Sequence, residues 1–296
     1  MIPESKKDNG IILGFMKGSF IMNRENITLS ANQYINESPG NFISEEVAMK
    51  PEYVGMQIFD LPVFAFGAAN DEIYNEFKSP GVIGIDFIPP CEWLTDVKTV
   101  ISVFLPYTAK VRASNAENYE WPSNEWLHGR YEGQMFLQSM VSYLAEKIRK
   151  TGYKVVVPAE DNKYFNKAIE SDGVKKFTTS WSERHVAFAC GLGTFGLSKG
   201  LITEKGMCGR FGSLITDLDL PKDTRKYKDP YEYCTMCGVC VSHCPVKAIS
   251  LKDGKNSALC SDFLNKVSEK DSPRYGCGKC QVNVPCENKI PKGINI

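Results

Sequence analysis

The sequence predicts an α/β (α+β) chain, a mixed sheet covered by helices and followed by a small cysteine-rich domain. Three observations carry this. Residues 99–105 are an apolar, β-branched run ended by Pro106, which reads as a central strand. In residues 133–150, Leu137, Met140, Val141, Leu144 and Ile148 recur at three- and four-residue steps, the period of a helix with one buried face. Of eleven cysteines, eight fall after residue 230, leaving Cys91, Cys190 and Cys208 to be read as small buried apolar residues.

Taken in order, residues 1–50 are polar and weakly patterned, with Pro39-Gly40 as a turn. Within them, the apolar segment 11–22 is interrupted by Gly14, Lys17 and Gly18 and is too short to span a membrane. It lacks a cleavage site and a twin-arginine pair, so a cytoplasmic location with no membrane partner is expected. Residues 58–67 read as loop and short buried strand, and residues 71–78 as a helix stopped by Pro80-Gly81. Lys147, Arg149 and Lys150 suit the negative end of the long helix, and Gly152 caps it. Val155, Val156 and Val157 form a second strand closed by Pro158. Strand, helix, strand in that order implies a mixed sheet. Residues 211–215 give a third strand. Residues 221–229 are a charged linker, dividing an α/β domain of 1–220 from a cluster domain of 221–296.

Composition is that of an ordinary globular chain, with 43% hydrophobic and 24% charged residues. Lys plus Arg equals Asp plus Glu at 35 each, so no broad basic field invites nucleic acid.

Cys234, Cys237, Cys240 and Cys244, followed by Pro245, have the spacing C-x2-C-x2-C-x3-C-P. Three thiolates from such a loop can converge on one 4Fe–4S cube, while the fourth is thrown outward to a different cube. Cys260, Cys277, Cys280 and Cys286 complete eight ligands for two cubes. The expected sets are Cys234, Cys237, Cys240 and Cys286 for one, and Cys244, Cys260, Cys277 and Cys280 for the other. A zinc ribbon is the alternative for paired C-x2-C units. Disulfides are disfavoured in a thiol-rich chain without an export signal.

Before the cysteines, residues 189–200 hold four glycines. Glycines let backbone N–H groups approach a ligand. Gly191-x-Gly193-x-x-Gly196 matches a dinucleotide fingerprint only superficially. A helix-like stretch, residues 183–190, precedes it and a strand follows, the reverse of what that motif needs. The plain alternative is a tight helix-to-strand connection.

Glu183-Arg184, Gly191-Leu192-Gly193, Leu201-Ile202-Thr203, Leu214 to Leu218 and then the cysteine run occur in one order. Together with residues 148–153, Cys260 and the Gly276 to Gln281 unit, this order resembles the epoxyqueuosine reductase and reductive dehalogenase superfamily. The likeness covers about residues 128–290. It implies a nitroreductase-like domain holding cobalamin, fed by two 4Fe–4S clusters and by a reduced ferredoxin or flavodoxin-type donor. Carried over, the corrinoid pocket would use Gly191, Leu192, Gly193, Gly196, Leu197, Thr216 and Asp217. The chain departs from the pattern at residues 177–182, which lack the expected acid, and at Leu197, where both families carry a basic residue. It also reads as a short form without the C-terminal repeat domain used for tRNA. A small molecule rather than tRNA is therefore the expected substrate.

Two polar groups of residues could supply protons. One is 128–134, containing Tyr131; the other is 181–185, containing Glu183 and His185. The ordinary readings are a structural Glu183–Arg184 ion pair and a core tyrosine. His243 reads as a neighbour of a cluster sulfur, and Lys199 and Arg210 as anion partners. The leading expectation is an iron–sulfur oxidoreductase using cobalamin. The alternatives are a cobalamin-free two-cluster electron carrier and a protein that reduces a corrinoid on a partner. An internal cavity beside a cluster distinguishes the first.

Overall fold

The first helix, α1 (Arg24–Glu37), lies in a stretch whose composition suggested little regular structure. Asn23 caps it by accepting the Asn26 N–H, and Ile27, Ala31 and Ile35, four residues apart, are buried. Three small apolar residues over two turns are enough to seat it, although they leave a weak pattern in the sequence. The computed structural model describes residues 22–171 and 174–292; all but the last residue of the segment 11–22 lies outside them.

After β1 (Val63–Ala68) come the short helices α2 (Ile73–Glu76) and α3 (Pro90–Trp93) and the strand β2 (Thr99–Pro106). All eight residues of β2 are buried. Helix α4 (Ala109–Ala116) leads to α5 (Asn124–Arg149), which begins nine residues before the clear apolar period, capped by the Ser123 hydroxyl. Its first turns bury His128, Gly129 and Glu132, which no apolar pattern reveals. The strand β3 (Val155–Val156) follows, then a hairpin of β4 (Asn166–Ser171) and β5 (Val174–Thr179). Next come α6 (Glu183–Cys190), a hairpin of β6 (Gly193–Phe195) and β7 (Leu201–Thr203), and β8 (Gly209–Thr216). The cysteine region adds α7 (Val239–Ser242), a hairpin of β9 (Ile249–Ser250) and β10 (Gly254–Lys255), and α8 (Ser257–Asp271).

The main sheet runs β1-β2-β8-β3. Strands β2 and β3 point the same way, as a strand–helix–strand order implies, but β8 inserts between them antiparallel to both. Ile101, Val103, Leu105 and Leu214 pack into one core with α1 and α5. Val100, Phe104 and Ile215 pack into the other with α6. Covered on both faces, β2 reads as an unbroken apolar run.

β3 pairs only with Thr216 and Ile215. The stretch of β8 from Gly209 to Ser213 therefore has β2 on one side and no described strand on the other. That open edge faces the site.

The chain from Pro221 to Asp229, expected to be a linker, is pinned to the body. Asp223 accepts the Phe66 N–H at 2.9 Å and pairs with Arg24 at 2.7 Å. Arg225 pairs with Asp71 at 2.6 Å, and the Tyr227 hydroxyl donates to the Phe188 carbonyl. At the other end, Arg274 and His128 converge on buried Glu132, tying the last cysteines to α5.

Candidate functional site

The eight late cysteines fall into two sets. Cys234, Cys237, Cys240 and Cys286 surround a small void beside Leu197 and Met207. Cys244, Cys260, Cys277 and Cys280 line one wall of a cavity of about 730 Å³. Electrostatic neighbours follow this division for Cys286 and Cys280, while Cys240 lies between the sets and feels Cys280 before Cys234 and Cys237. After burial, Cys286 is raised by Cys234, Cys237 and Cys240. Cys280 is raised by burial, with Lys255 opposing and Cys260 and Cys244 adding. The run from Cys234 to Cys244 thus splits, its fourth sulfur joining the downstream set. Backbone N–H groups aim at both sets: Leu197 at Cys234 Sγ, 3.4 Å, and Ala248 at Cys244 Sγ, 3.1 Å.

Around the downstream set the charge is cationic. Lys279, between Cys277 and Cys280, is fully enclosed, and its ammonium donates to the Asn115 carbonyl and side-chain oxygens at 2.8 and 2.9 Å. Burial lowers it to about 8. Lys255 and Arg184 also face Cys260 and Cys280.

The cavity lies along the open edge of β8. Its opposite walls come from α5, the β4–β5 hairpin, the start of α6 and the downstream cysteines. From α5 it takes Arg130, Gln134, Leu137, Gln138 and Val141, which share one helix face. Tyr131 lies about 100° around the helix from Arg130 and is not in the wall.

Glu183 and His185 both reach the cavity. Burial pushes Glu183 up to about 7, with the Ser213 hydrogen bond and the charge of Arg210 acting in the opposite sense. Ser213 donates to Glu183 Oε2 at 2.7 Å and accepts from the Trp181 indole at 2.9 Å. Glu183 and Arg210 are half-buried in the cavity wall, whereas Arg184, which also lines it, is exposed. His185 sits between the rings of Phe77 and Phe195, its Nδ1 2.8 Å from the Ser182 hydroxyl. Burial, then Arg184 and Lys199, lower it to about 3, so it stays neutral near pH 7 and is a poor acid there. Lys199 reaches the Ser257 hydroxyl outside the wall, and His243 stacks on Tyr119.

The residues expected to hold a corrinoid are elsewhere. None of Gly191, Leu192, Gly193, Gly196, Leu197, Thr216 and Asp217 lines the cavity. Gly191 ends α6 in the left-handed region, at φ 101°. A Cβ at Gly193 would lie 1.9 Å from the Ile202 carbonyl oxygen, so the neighbouring strand takes up the missing side chain. Gly196 and Leu197 adjoin the first cysteine set. Thr216 donates to the Lys154 carbonyl and Asp217 accepts its N–H, both at 2.8 Å, fixing the start of β3.

Sequence reasoning passed over Ser213. The only signal is one small hydroxyl within an apolar strand, where a buried polar group needs a partner.

The segment 228–250 matches a 4Fe–4S binding domain model. No curated protein matches the chain. Among solved structures, a catabolic reductive dehalogenase in complex with 3-bromo-4-hydroxybenzoic acid aligns at 16% identity and TM-score 0.50. The alignment covers 77% of this chain and 30% of that one. The epoxyqueuosine reductase from Streptococcus thermophilus aligns at 19% identity and TM-score 0.46, over 79% and 64%. That from Bacillus subtilis gives 17% and 0.45, over 79% and 63%. The chain thus spans less than two thirds of each relative's length. The fold is that of the dehalogenase structure, a helix-and-sheet body, here with a 4Fe–4S segment at residues 228–250. Among the described residues, no helix is long and apolar enough to cross a membrane.

Proposed function

We propose that the chain is a two-cluster iron–sulfur reductase acting on a small molecule held in the cavity. The observation that carries this is the shared wall: Cys244, Cys260, Cys277 and Cys280 on one side, and Glu183 on the other. A cube there delivers electrons one at a time, and a carboxyl that keeps its proton up to about pH 7 supplies the acid. A two-electron reduction takes one electron from each cube and a proton from Glu183. If a polarised bond is cleaved, its leaving group departs as the anion. A one-electron donor of the ferredoxin or flavodoxin class then reduces the first cube again.

The seven residues that the resemblance would place around a corrinoid do not line the cavity, and the reading proposed here does not depend on one. The loop that would wrap it is closed on its own strand at Gly193. The cavity is the size of an ordinary small-molecule site. The pure electron-carrier alternative is less well supported, because it needs this space filled by side chains. Equal numbers of acidic and basic residues favour a small substrate over tRNA.

The test is anaerobic reduction of the protein followed by candidate acceptors, starting with 3-bromo-4-hydroxybenzoic acid. Acceptor-dependent reoxidation of the clusters with stoichiometric product supports the reading. Clusters that no acceptor reoxidises count against it.

A further inference from the structure

Two guanidinium groups, Arg130 and Arg210, line the cavity and remain partly accessible. Arg130 Nη1 and Arg210 Nε are closed off from the cavity as well as from bulk water and lack a hydrogen-bond partner, so a ligand meets only the remaining N–H groups of each fork. A buried N–H of a charged group without an acceptor is costly, so such groups are rare in folded chains. Both side chains are otherwise held in place. Arg210 Nη2 donates to Gln134 Oε1, and the Arg130 guanidinium stacks over the Tyr275 ring at 4.3 Å.

The charges around them do not close the account. Arg184 donates to the Lys199 carbonyl, and with Lys255 it faces the downstream thiolates. Glu183 is the nearby acid, but its Oε2 accepts from Ser213, and no ion pair joins it to Arg210. Burial and the charge of Arg130 lower Arg210 to about 10, so it keeps its proton near pH 7. Two fixed guanidinium groups thus share a cavity wall, and among the described residues neither is ion-paired to a carboxylate.

We propose that the cavity binds its ligand through an oxyanion, a carboxylate or phosphate ester, seated on Arg130 and Arg210. Planar guanidinium forks match both kinds of oxyanion. The proposal rests on the cavity being the substrate site of the reductase and names the class of ligand it takes. Tyr164, Trp181 and Phe211 in the same wall offer apolar surface to the rest of such a molecule.

The test is calorimetric titration of the anaerobic, oxidised holoprotein with benzoate, phenyl phosphate and the neutral isostere benzamide. One anion is expected to bind saturably, one per chain, with benzamide at least ~10-fold weaker. The tighter of the two anions distinguishes a carboxylate from a phosphate site. Arg130→Gln and Arg210→Gln should each weaken that anion ~10-fold or more, with iron content and melting unchanged. Arg130→Lys, which keeps charge but loses the fork, should fall between. Saturable uptake of neither anion, benzamide binding as tightly as benzoate, or both Gln variants binding like the parent would overturn the proposal. These readings need no turnover, so they stand apart from the reoxidation experiment that tests the reductase.

Discussion

Ser213 holds Glu183 at 2.7 Å with its hydroxyl hydrogen and uses its lone pair to accept from Trp181 at 2.9 Å. The relay fixes the carboxyl at the cavity, while burial leaves it protonated until about pH 7. Reduction should therefore slow as pH rises through about 7, because the acid form is spent. Glu183→Gln should lower the rate by roughly 10²- to 10⁴-fold and abolish that pH dependence. A pH–rate profile with the best acceptor checks both. An unchanged profile in the variant would remove Glu183 as the donor.

The same displacement affects stability. A carboxyl raised from 4.5 to about 7 on folding contributes stability that is complete below 4.5 and lost as pH rises through 7, at most about 3 kcal/mol. Glu183→Gln should therefore melt higher than the parent at pH 8 and show little advantage at pH 4.5. Melting curves at the two pH values decide it.

The two cysteine sets should load separately. The intact chain should carry about eight irons. Cys244→Ala should damage the cube of Cys260, Cys277 and Cys280, and Cys286→Ala the other. Paramagnetic resonance of the reduced variants, with iron analysis, reads this. Loss of the Cys234, Cys237 and Cys240 signal in Cys244→Ala would reverse the assignment.

Gly193→Val should act on the fold, since its Cβ would meet the Ile202 carbonyl at 1.9 Å. A loss of about 3 kcal/mol is expected from such overpacking. The check is denaturant unfolding of parent and variant. A variant of parental stability would mean that β6 and β7 separate readily.

Arg274→Met should be more damaging than a surface change. It strips a partner from Glu132, which is 8% exposed, and a broken buried pair typically costs about 3 to 5 kcal/mol. Burial alone would raise Glu132, but hydrogen bonds from His128 and Arg274 outweigh it and hold it low. Its contribution is therefore present above 4.5 and fades as pH falls through the lower folded value. Unfolding at pH 7 and pH 3 should show a large gap between parent and variant at the first and a smaller one at the second.

β2 and the later turns of α5 were legible because burial on a sheet or one helix face leaves a period in the sequence. α1 was not, because Ile27, Ala31 and Ile35 are spaced thinly among polar residues. The β4–β5 hairpin was missed because adjacent polar residues, Lys175-Lys176 and Thr178-Thr179, break any alternation of apolar and polar positions. The expected split of the cysteines rests on spacing, since the fourth sulfur of such a run is thrown outward from the first cube. The glycine loop misled for a physical reason. A missing side chain looks the same in sequence whether a ligand or a neighbouring strand fills the space, and at Gly193 the strand does.

The lysine sealed between Cys277 and Cys280 bears on the direction of current. Lys279, Lys255 and Arg184 gather at the downstream sulfurs, and among the described residues no Lys or Arg lines the void at Cys234, Cys237, Cys240 and Cys286. Positive charge favours the reduced form of an iron–sulfur cube, so the two cubes should differ in midpoint potential, with the higher beside the cavity. Lys279→Met should narrow that difference in a potentiometric titration. With the gradient intact, an electron entering at the outer cube runs downhill and waits next to the bound molecule, and back-flow to the donor is the uphill step.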